Sequence, residues 1–328
     1  MIKKIGITYD LKSDYLKLGY SPEETAECDK IETIDAIYNS LTYLGYKVER
    51  IGNIFSLTKK LAKGKRWDLI FNICEGIRGK ARESQVPSIL DAYNIPYTFS
   101  DPAVLAFTLH KNLAKSILIS NNINTPMYKV IHEIKELDDL DFTYPLFVKP
   151  DAEGTSKGID NLSKVHNKDE LIFKVSQILN VYKQSALIED FLPGREFTVG
   201  VVGSGDNSRV FEIMEIKIKK ESNHEFYSFE NKARYEEFVE YSILKDDNLR
   251  EQISKLAISA WNVLLCKDGG RIDVRLDKHN NPSFIEVNPL AGLNPEYSDL
   301  PIMGRLAGIS YESLIKDIME SALSRTNG

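Results

Sequence analysis

The sequence predicts an α/β protein whose C-terminal part turns α+β, and three observations carry that reading. Strand and helix signals alternate through the first hundred residues, a break falls at Ser100-Asp101-Pro102, and the strands from Ala186 onward are longer and antiparallel in character. The alternation implies a doubly wound parallel sheet with helices on both faces, expected at residues 1–100. A small α+β unit is expected at 101–185 and a C-terminal unit at 186–328. A chain of 328 residues is too long for one simple core, in keeping with that division.

The first unit opens with a strand at Lys4 to Tyr9, followed by an amphipathic helix from Ile31 to Leu44 that Gly45 ends. A strand at Lys47 to Ile51, a helix at Ile54 to Leu61 and a strand at Asp68 to Ile73 come next. A helix at Val86 to Ala92 and a short strand at Pro96 to Thr98 complete it. The turn after the first strand is not G-x-G-x-x-G, which argues against a dinucleotide fold. Helical signals then run through Val104 to Ser120 until Asn121-Asn122. Strands are expected near Tyr128 to Ile131 and Pro145 to Lys149, with a helix at Lys168 to Val181. The C-terminal strands are Ala186 to Glu189, Glu196 to Val202, Arg209 to Ile218, Arg271 to Leu276 and Ser283 to Asn288. Helices are expected at Asn248 to Leu265 and Tyr311 to Ser324.

Composition narrows the class. With 42% hydrophobic and 27% charged residues and a net charge of -6, the chain has no global basic field for nucleic acid or an anionic membrane. Cys28, Cys74 and Cys266 are odd in number and contain no C-x-x-C pair, so neither a disulfide framework nor a thiolate zinc site is expected. The start MIKKIGITYD lacks an apolar signal segment, and no run of about 18 apolar residues occurs. A reducing, cytoplasmic compartment is the expectation.

Three segments carry chemistry. The first is the pair GGRIDVRLD and PSFIEVNP, Gly269 to Asp277 and Pro282 to Pro289. Period two puts Arg271, Asp273 and Arg275 on one face of the first strand, and Glu286 and Asn288 on one face of the second, opposite Ile285 and Val287. The hairpin turn at Lys278 to Asn281 brings these polar faces together. Asp273, Glu286 and Asn288 then offer hard oxygens to one point, which suits magnesium completed by substrate phosphates. A solvated face with cross-strand ion pairs is the plainer alternative. The second segment is PLFVKPDAEGTSKGI, Pro145 to Ile159, where a strand delivers Lys149 to a small-residue loop able to approach phosphate. The Walker A spacing is absent, and an ordinary hairpin loop is an equal alternative. The third is ALIEDFLPGREFTVGVV, Ala186 to Val202, whose Glu189, linker and Glu196 could edge a nucleotide pocket, although two strands with a charged corner are the plainer reading of these residues alone.

Taken in order, Lys111, Lys149 with GTSKGI, Glu189 to Leu192, Glu196, Lys232, RIDV and EVNP resemble the ATP-grasp signature. IPYTFSDPAVLAFTLHKNLAK and NPLAGLNPEYSDLP resemble, more narrowly, the D-alanine–D-alanine ligase group. The resemblance covers most of the chain after about Asp68. It implies an ATP-grasp fold and an ATP-dependent ligase that joins two amino acids through an acyl phosphate, with Mg2+ (or Mn2+ in its place) as cofactor. Lys111 and Lys149 would hold phosphates, Glu189 and the Leu192 backbone would read adenine, and Glu196 the ribose. Lys232, within FYSFENK, would reach the γ-phosphate. Asp273, Glu286 and Asn288 would ligate the metal, and Arg271 with the Gly292 amide would stabilise the oxyanion. Thr155, Ser156 and Ser298 would line the amino-acid subsites, and a homodimer is what the resemblance suggests.

Departures from the group concern the substrate. Ala233 follows Lys232 where a Tyr is usual. The first loop is the longer YDLKSDYLKLGYSPEETAECD, with Glu27 as the nearest candidate for the first amino group and Glu32 as a second. Asn72 stands where the group has His, and Glu75, Arg78, Arg82, Glu83 and Gln85 add polar groups that alanine would not need. Together they suggest a different or larger amino-acid substrate. A small-molecule kinase and a non-catalytic nucleotide-binding module are the alternative readings.

Overall fold

The computed structural model describes residues 3–139, 143–219 and 238–326. Lys232 and the FYSFENK segment lie outside them. Strands β1 (Lys4–Tyr9), β2 (Lys47–Gly52) and β3 (Leu69–Ile73) form a parallel sheet in the order β2-β1-β3. Helices α1 (Lys12–Lys17), α2 (Ile31–Tyr43), α3 (Ile54–Ala62) and α4 (Gln85–Ala92) accompany it. Alternation along β3 explains the double winding. Leu69, Phe71 and Ile73 join the core shared with Ile34, Ile37 and Leu41 of α2, while Ile70 and the adjoining Cys74 join Leu57, Leu61, Val86 and Leu90 of α3 and α4.

Two expectations for this unit are corrected. Pro96 to Thr98 is not a strand but a single parallel bridge from Ile70 to Tyr97. Ile70 exchanges two backbone hydrogen bonds with Pro96 and Thr98, and then Phe99, at φ 72, turns the chain out of the ladder. Helix α1 was not expected, because six residues with Tyr15 as the one buried side chain show no periodicity.

The helical run after the break is two helices. Asp101 caps α5 (Pro102–Thr108) by accepting from the Val104 amide, and α6 (Lys111–Ser120) starts afresh after His110, whose ψ of 104 is extended. Asp151 causes the restart. Its carbonyl accepts from the Lys111 amide at 3.0 Å and its Oδ1 from the Asn112 amide at 3.0 Å. Lys111 therefore heads a helix instead of sitting in the middle of one.

The next sheet is antiparallel, in the order β4-β7-β5-β6, from β4 (Tyr128–Ile131), β5 (Leu146–Pro150), β6 (Lys164–Val165) and β7 (Ala186–Asp190). Helix α7 (Lys168–Gln177) covers its apolar face, and a π-helical turn extends it to Tyr182. Strand β7, expected to open the C-terminal set, belongs here instead, because Ala186 and Ile188 pack with Val148, Val165 and Ile131.

The largest sheet has the order β10-β9-β8-β11-β12, entirely antiparallel. Its strands are β8 (Glu196–Val202), β9 (Arg209–Ile218), β10 (Val239–Ile243), β11 (Gly269–Leu276) and β12 (Pro282–Asn288). Helix α8 (Asp247–Val263) packs Ile253, Ala257 and Trp261 on one face. Helices α9 (Asp299–Leu306) and α10 (Tyr311–Thr326) join the other face to the first sheet through Met303, Ile315 and Ile318. Among the described residues no helix is long and apolar enough to cross a membrane.

Candidate active site

Two adjoining cavities share Arg271 and Glu286 in their walls. The one between the small and the large sheet, about 90 Å³, is lined by Phe147, Lys149 and Glu189 from the outward face of one and Asp273, Arg275 and Glu286 from the other. Phe147 and Lys149 point away from the β5 core residues Val148 and Leu146, so period two delivers them to the cavity. Ser156, Leu192 and Glu196 complete this wall. The second cavity, about 150 Å³, lies toward the N-terminal unit and is lined by Glu27, Lys111, Thr155, Asn288, Gly292 and Ser298, among others.

Asp273 and Glu286 are direct cross-strand partners, as are Arg271 and Asn288. Close approach at the head of β11 depends on Gly270, where a Cβ would meet the Asn288 carbonyl oxygen at 2.5 Å. The ladder slips after Asp273, where Val274 pairs with Phe284 and Ile285 is the extra residue. The expectation that Ile285 opposes Glu286 is corrected: the bulge lets Ile285 line the same cavity as Glu286.

Charges are dense here. Glu286 Oε2 lies 3.4 Å from Lys111 Nζ, and its Oε1 accepts from Asn288 Nδ2 at 3.5 Å. Burial opposes ionisation of Glu286, but Lys111, Lys149 and Arg271 outweigh it and hold its carboxyl well below the usual range. Asp273 pairs with Arg271 and accepts from Thr198 Oγ1 at 2.9 Å. Arg271 Nε stands 3.6 Å from Asp299 Oδ2. Lys111 Nζ also donates to the Glu153 carbonyl at 2.6 Å.

Glu189 is buried between two lysines, with Oε1 2.7 Å from Lys115 and Oε2 2.8 Å from Lys149. Both its oxygens are engaged by cations, so the carboxylate is not left open to a base edge. Burial raises the Glu196 carboxyl, and Arg275 stands 3.3 Å from it. In the loop after β5, Thr155 and Ser156 take φ values of 48 and 56, a left-handed pair that costs energy outside glycine. Among the described residues Thr155 Oγ1 is buried there without a hydrogen-bond partner.

In the second cavity Glu27 accepts from Arg82 Nη2 at 2.9 and 3.1 Å and from the Gly154 amide at 3.0 Å. Asp29, Glu75 and Glu83 line it as well. Burial pushes Glu83 up to about 7 and Asp29 up to about 8. Gly292 is exposed on the wall, and Ser298 Oγ accepts from the Asn294 amide at 3.0 Å.

The structure thus gathers Lys111, Lys149, Glu189, Leu192, Glu196, Arg271, Asp273, Glu286, Asn288, Gly292, Thr155, Ser156, Ser298 and Glu27 around the two cavities. Glu32 is exposed and lines neither. Asn72 also stays outside, its Oδ1 accepting from Thr8 Oγ1 at 2.9 Å and from the Cys74 amide at 3.3 Å. Sequence reasoning missed Lys115, Asp299 and Thr198. Of these, Lys115 had a usable signal, one helical turn after Lys111.

Residues 117–320 match the family model for the D-ala D-ala ligase C-terminus. The D-alanine–D-alanine ligase of Aquifex aeolicus is 31% identical over 292 residues, 88% of this chain and 94% of that protein. D-alanine–D-alanine ligase B of Clostridium perfringens is 28% identical over 297 residues, 89% of this chain and 92% of that protein. The fold matches the crystal structure of Bacillus anthracis D-alanine–D-alanine ligase complexed with ATP, with a TM-score of 0.74 at 23% identity, covering 99% of this chain and 100% of that one.

Proposed function

The chain belongs to the D-alanine–D-alanine ligase family and is an ATP-dependent ligase, and from that premise we propose that it joins two amino acids at the shared wall of its two cavities. The observation that carries this reading is the convergence of Lys111, Lys149 and Arg271 on Glu286, where the cavities meet. Each cation also has an acid partner, Arg271 in Asp273 and Lys149 in Glu189, so the cluster can turn its cations to a polyphosphate while its acids turn to a metal.

The nucleotide belongs in the cavity between the sheets. Lys149 and Lys111 meet its phosphates and Glu196 meets the ribose hydroxyls, while Ser156, expected in an amino-acid subsite, lines this cavity instead and covers the phosphates. Since Lys115 and Lys149 already occupy the Glu189 carboxylate, adenine is read by the backbone near Leu192 and by apolar contact with Phe147 and Ile285. Lys232 remains a proposed γ-phosphate ligand on the sequence resemblance alone.

Asp273, Glu286 and Asn288 fit a hard divalent cation such as magnesium, or manganese in its place. The cross-strand pair supplies two carboxylates and Asn288 an amide oxygen, with no nitrogen or sulfur donor in the set. Among the described residues no cluster of three His, Cys, Asp or Glu side chains could hold a metal, so the amide and the substrate phosphates would have to complete the shell. When bound, the cation neutralises charge on the transferring phosphoryl group.

In the first step a substrate carboxylate takes the γ-phosphoryl group of ATP, giving an acyl phosphate and ADP. The amine of the second amino acid then attacks the carbonyl carbon, and phosphate leaves as the C–N bond forms. Arg271, fixed by Asp273 and Asp299, and the Gly292 amide meet the oxyanion. Thr155 and Ser298 line the amino-acid subsites.

D-alanine is the first substrate to test. A different amino acid or amino compound is the second reading, favoured by Asp29, Glu75 and Glu83 in the wall of the second cavity, since D-alanine needs no such number of acids. Free, buried Cys28, Cys74 and Cys266 support a reducing cytoplasmic setting, and a homodimer is carried by the family resemblance. ATP turnover with magnesium, screened over single and paired amino acids of both hands, tests the proposal. Phosphate release coupled to a new amide product is expected. ATP binding without turnover on any pair would favour a binding module instead.

A further inference from the structure

Lys115 is the most enclosed charged side chain of the site and lines neither cavity. Helix α6 places it one turn after Lys111, on the face that packs against β12. Its ammonium group has three partners: Glu189 Oε1 at 2.7 Å, Thr125 Oγ1 at 2.7 Å and the Phe284 carbonyl at 3.4 Å. Two hydrogen bonds and one ion pair thus engage Lys115, which faces neither cavity and has no route to a ligand.

Lys149 is the reverse case. It lines the nucleotide cavity, and among the described residues its ammonium has one partner, Glu189 Oε2 at 2.8 Å. Glu189 therefore gives one oxygen to each lysine. Two buried lysines and one glutamate leave the group with a single net positive charge, and the lysine with unused protons is the one that faces the cavity. Without Lys115, Glu189 Oε1 would lose its counter-ion, and the freed carboxylate would draw both oxygens toward Lys149.

We propose that Lys115 is a positioning residue for nucleotide binding, holding Glu189 so that Lys149 keeps its place and its free protons for the ATP phosphates. This rests on the reading of Lys149 as a nucleotide ligand. The charges agree with it. Burial works against the Lys149 ammonium, but Glu189 and Glu286 outweigh burial and raise its pKa, whereas burial lowers Lys115 to about 8.

The test is a double-mutant cycle on the full chain, reading the Kd for ATP with magnesium by calorimetry and the melting temperature of each variant. Lys115→Met keeps the side-chain stem and should weaken ATP about tenfold, as loss of a charged hydrogen-bonded partner does. In a Lys149→Met background the same change should cost less than about twofold, since its route to the nucleotide is already gone. An equal loss in both backgrounds would mean that Lys115 acts on stability alone and would overturn the proposal. No loss from Lys149→Met by itself would instead remove the reading of Lys149 on which the proposal stands. If Lys115→Met does not fold, Thr125→Val, which takes one acceptor from Lys115, goes through the same cycle under the same criterion.

Discussion

Asp273 on β11 and Glu286 on β12 face each other as direct cross-strand partners, one position before the ladder slips at Ile285. Two carboxylates so placed would repel in a bare sheet. They are tolerated because Arg271 holds the first and Lys111 the second, with Lys149 adding to the field. An arrangement that needs this many cations to hold two acids together is poised to exchange partners when phosphates and a metal enter.

Glu286→Gln keeps the shape and removes the charge. Turnover should fall by roughly a thousandfold or more, because phosphoryl transfer loses a metal ligand at its centre. The melting temperature should move by only a few degrees, since Lys111 retains the Glu153 carbonyl as an acceptor. ADP release and a thermal melt of the same preparation check both halves, and full activity in the variant would remove Glu286 from the site.

Gly292→Ala probes the oxyanion wall. A Cβ there would meet Ser298 Oγ at 2.8 Å, so either the backbone or the serine must move. The expected result is a kcat lowered about tenfold or more with ATP affinity unchanged, the pattern of an interaction made only in the transition state. Adding Ser298→Ala frees the space and should restore part of the kcat if the clash is the cause. A loss that appears in ATP affinity instead would place Gly292 on the nucleotide side.

Much of this site was legible because strands advertise their faces. Arg271, Asp273, Glu286 and Asn288 alternate with Ile272, Val274 and Val287, and the alternation alone brought them to one surface. What escaped was everything set by tertiary partners. Asp151 divides α5 from α6 from across the sequence, and no local signal at His110 announces it. Ile285 entered the cavity through a bulge that a period-two reading cannot contain. Ala186 to Glu189 reads as a strand in the sequence, yet only packing against Val148 and Ile131 decides which sheet receives it.

The acids of the second cavity should show in the pH dependence of stability. Burial raises Glu83 from 4.5 to about 7 and Asp29 from 3.8 to about 8, so the folded chain binds more protons than the unfolded one between those limits. Stability is then highest at the acid end of that window and declines as pH rises to about 8. Glu189 and Glu286 act with the opposite sign: the stability they contribute is present above the ordinary carboxylate range and lost as pH falls below it. Melting temperature should therefore peak near pH 5 and fall toward pH 8, and Glu83→Gln should flatten that fall. An unchanged slope in Glu83→Gln would assign the decline to other groups.

The last helix should prove essential for joining the N-terminal and C-terminal sheets. Asp268 is fully buried and accepts from Arg325 Nε at 2.9 Å and Nη2 at 2.6 Å, from Ser321 Oγ at 2.8 Å and from the Phe99 amide at 2.7 Å. Arg325 Nη2 also donates to the Tyr97 and Phe99 carbonyls at 2.7 and 3.0 Å. One ion pair therefore ties α10 and the start of β11 to the segment that leaves the first sheet. Arg325→Ala strands the Asp268 carboxylate in the interior with neutral donors only, at a cost of about 3–5 kcal/mol. The melting temperature should drop by roughly 4–7 °C. Arg325→Lys should recover only part of this, because an ammonium cannot span Asp268 and both carbonyls with the guanidinium's geometry. A melt within two or three degrees of the parent for Arg325→Ala would show that the sheets are held by the apolar packing of Ile315, Ile318 and Met303 without this ion pair.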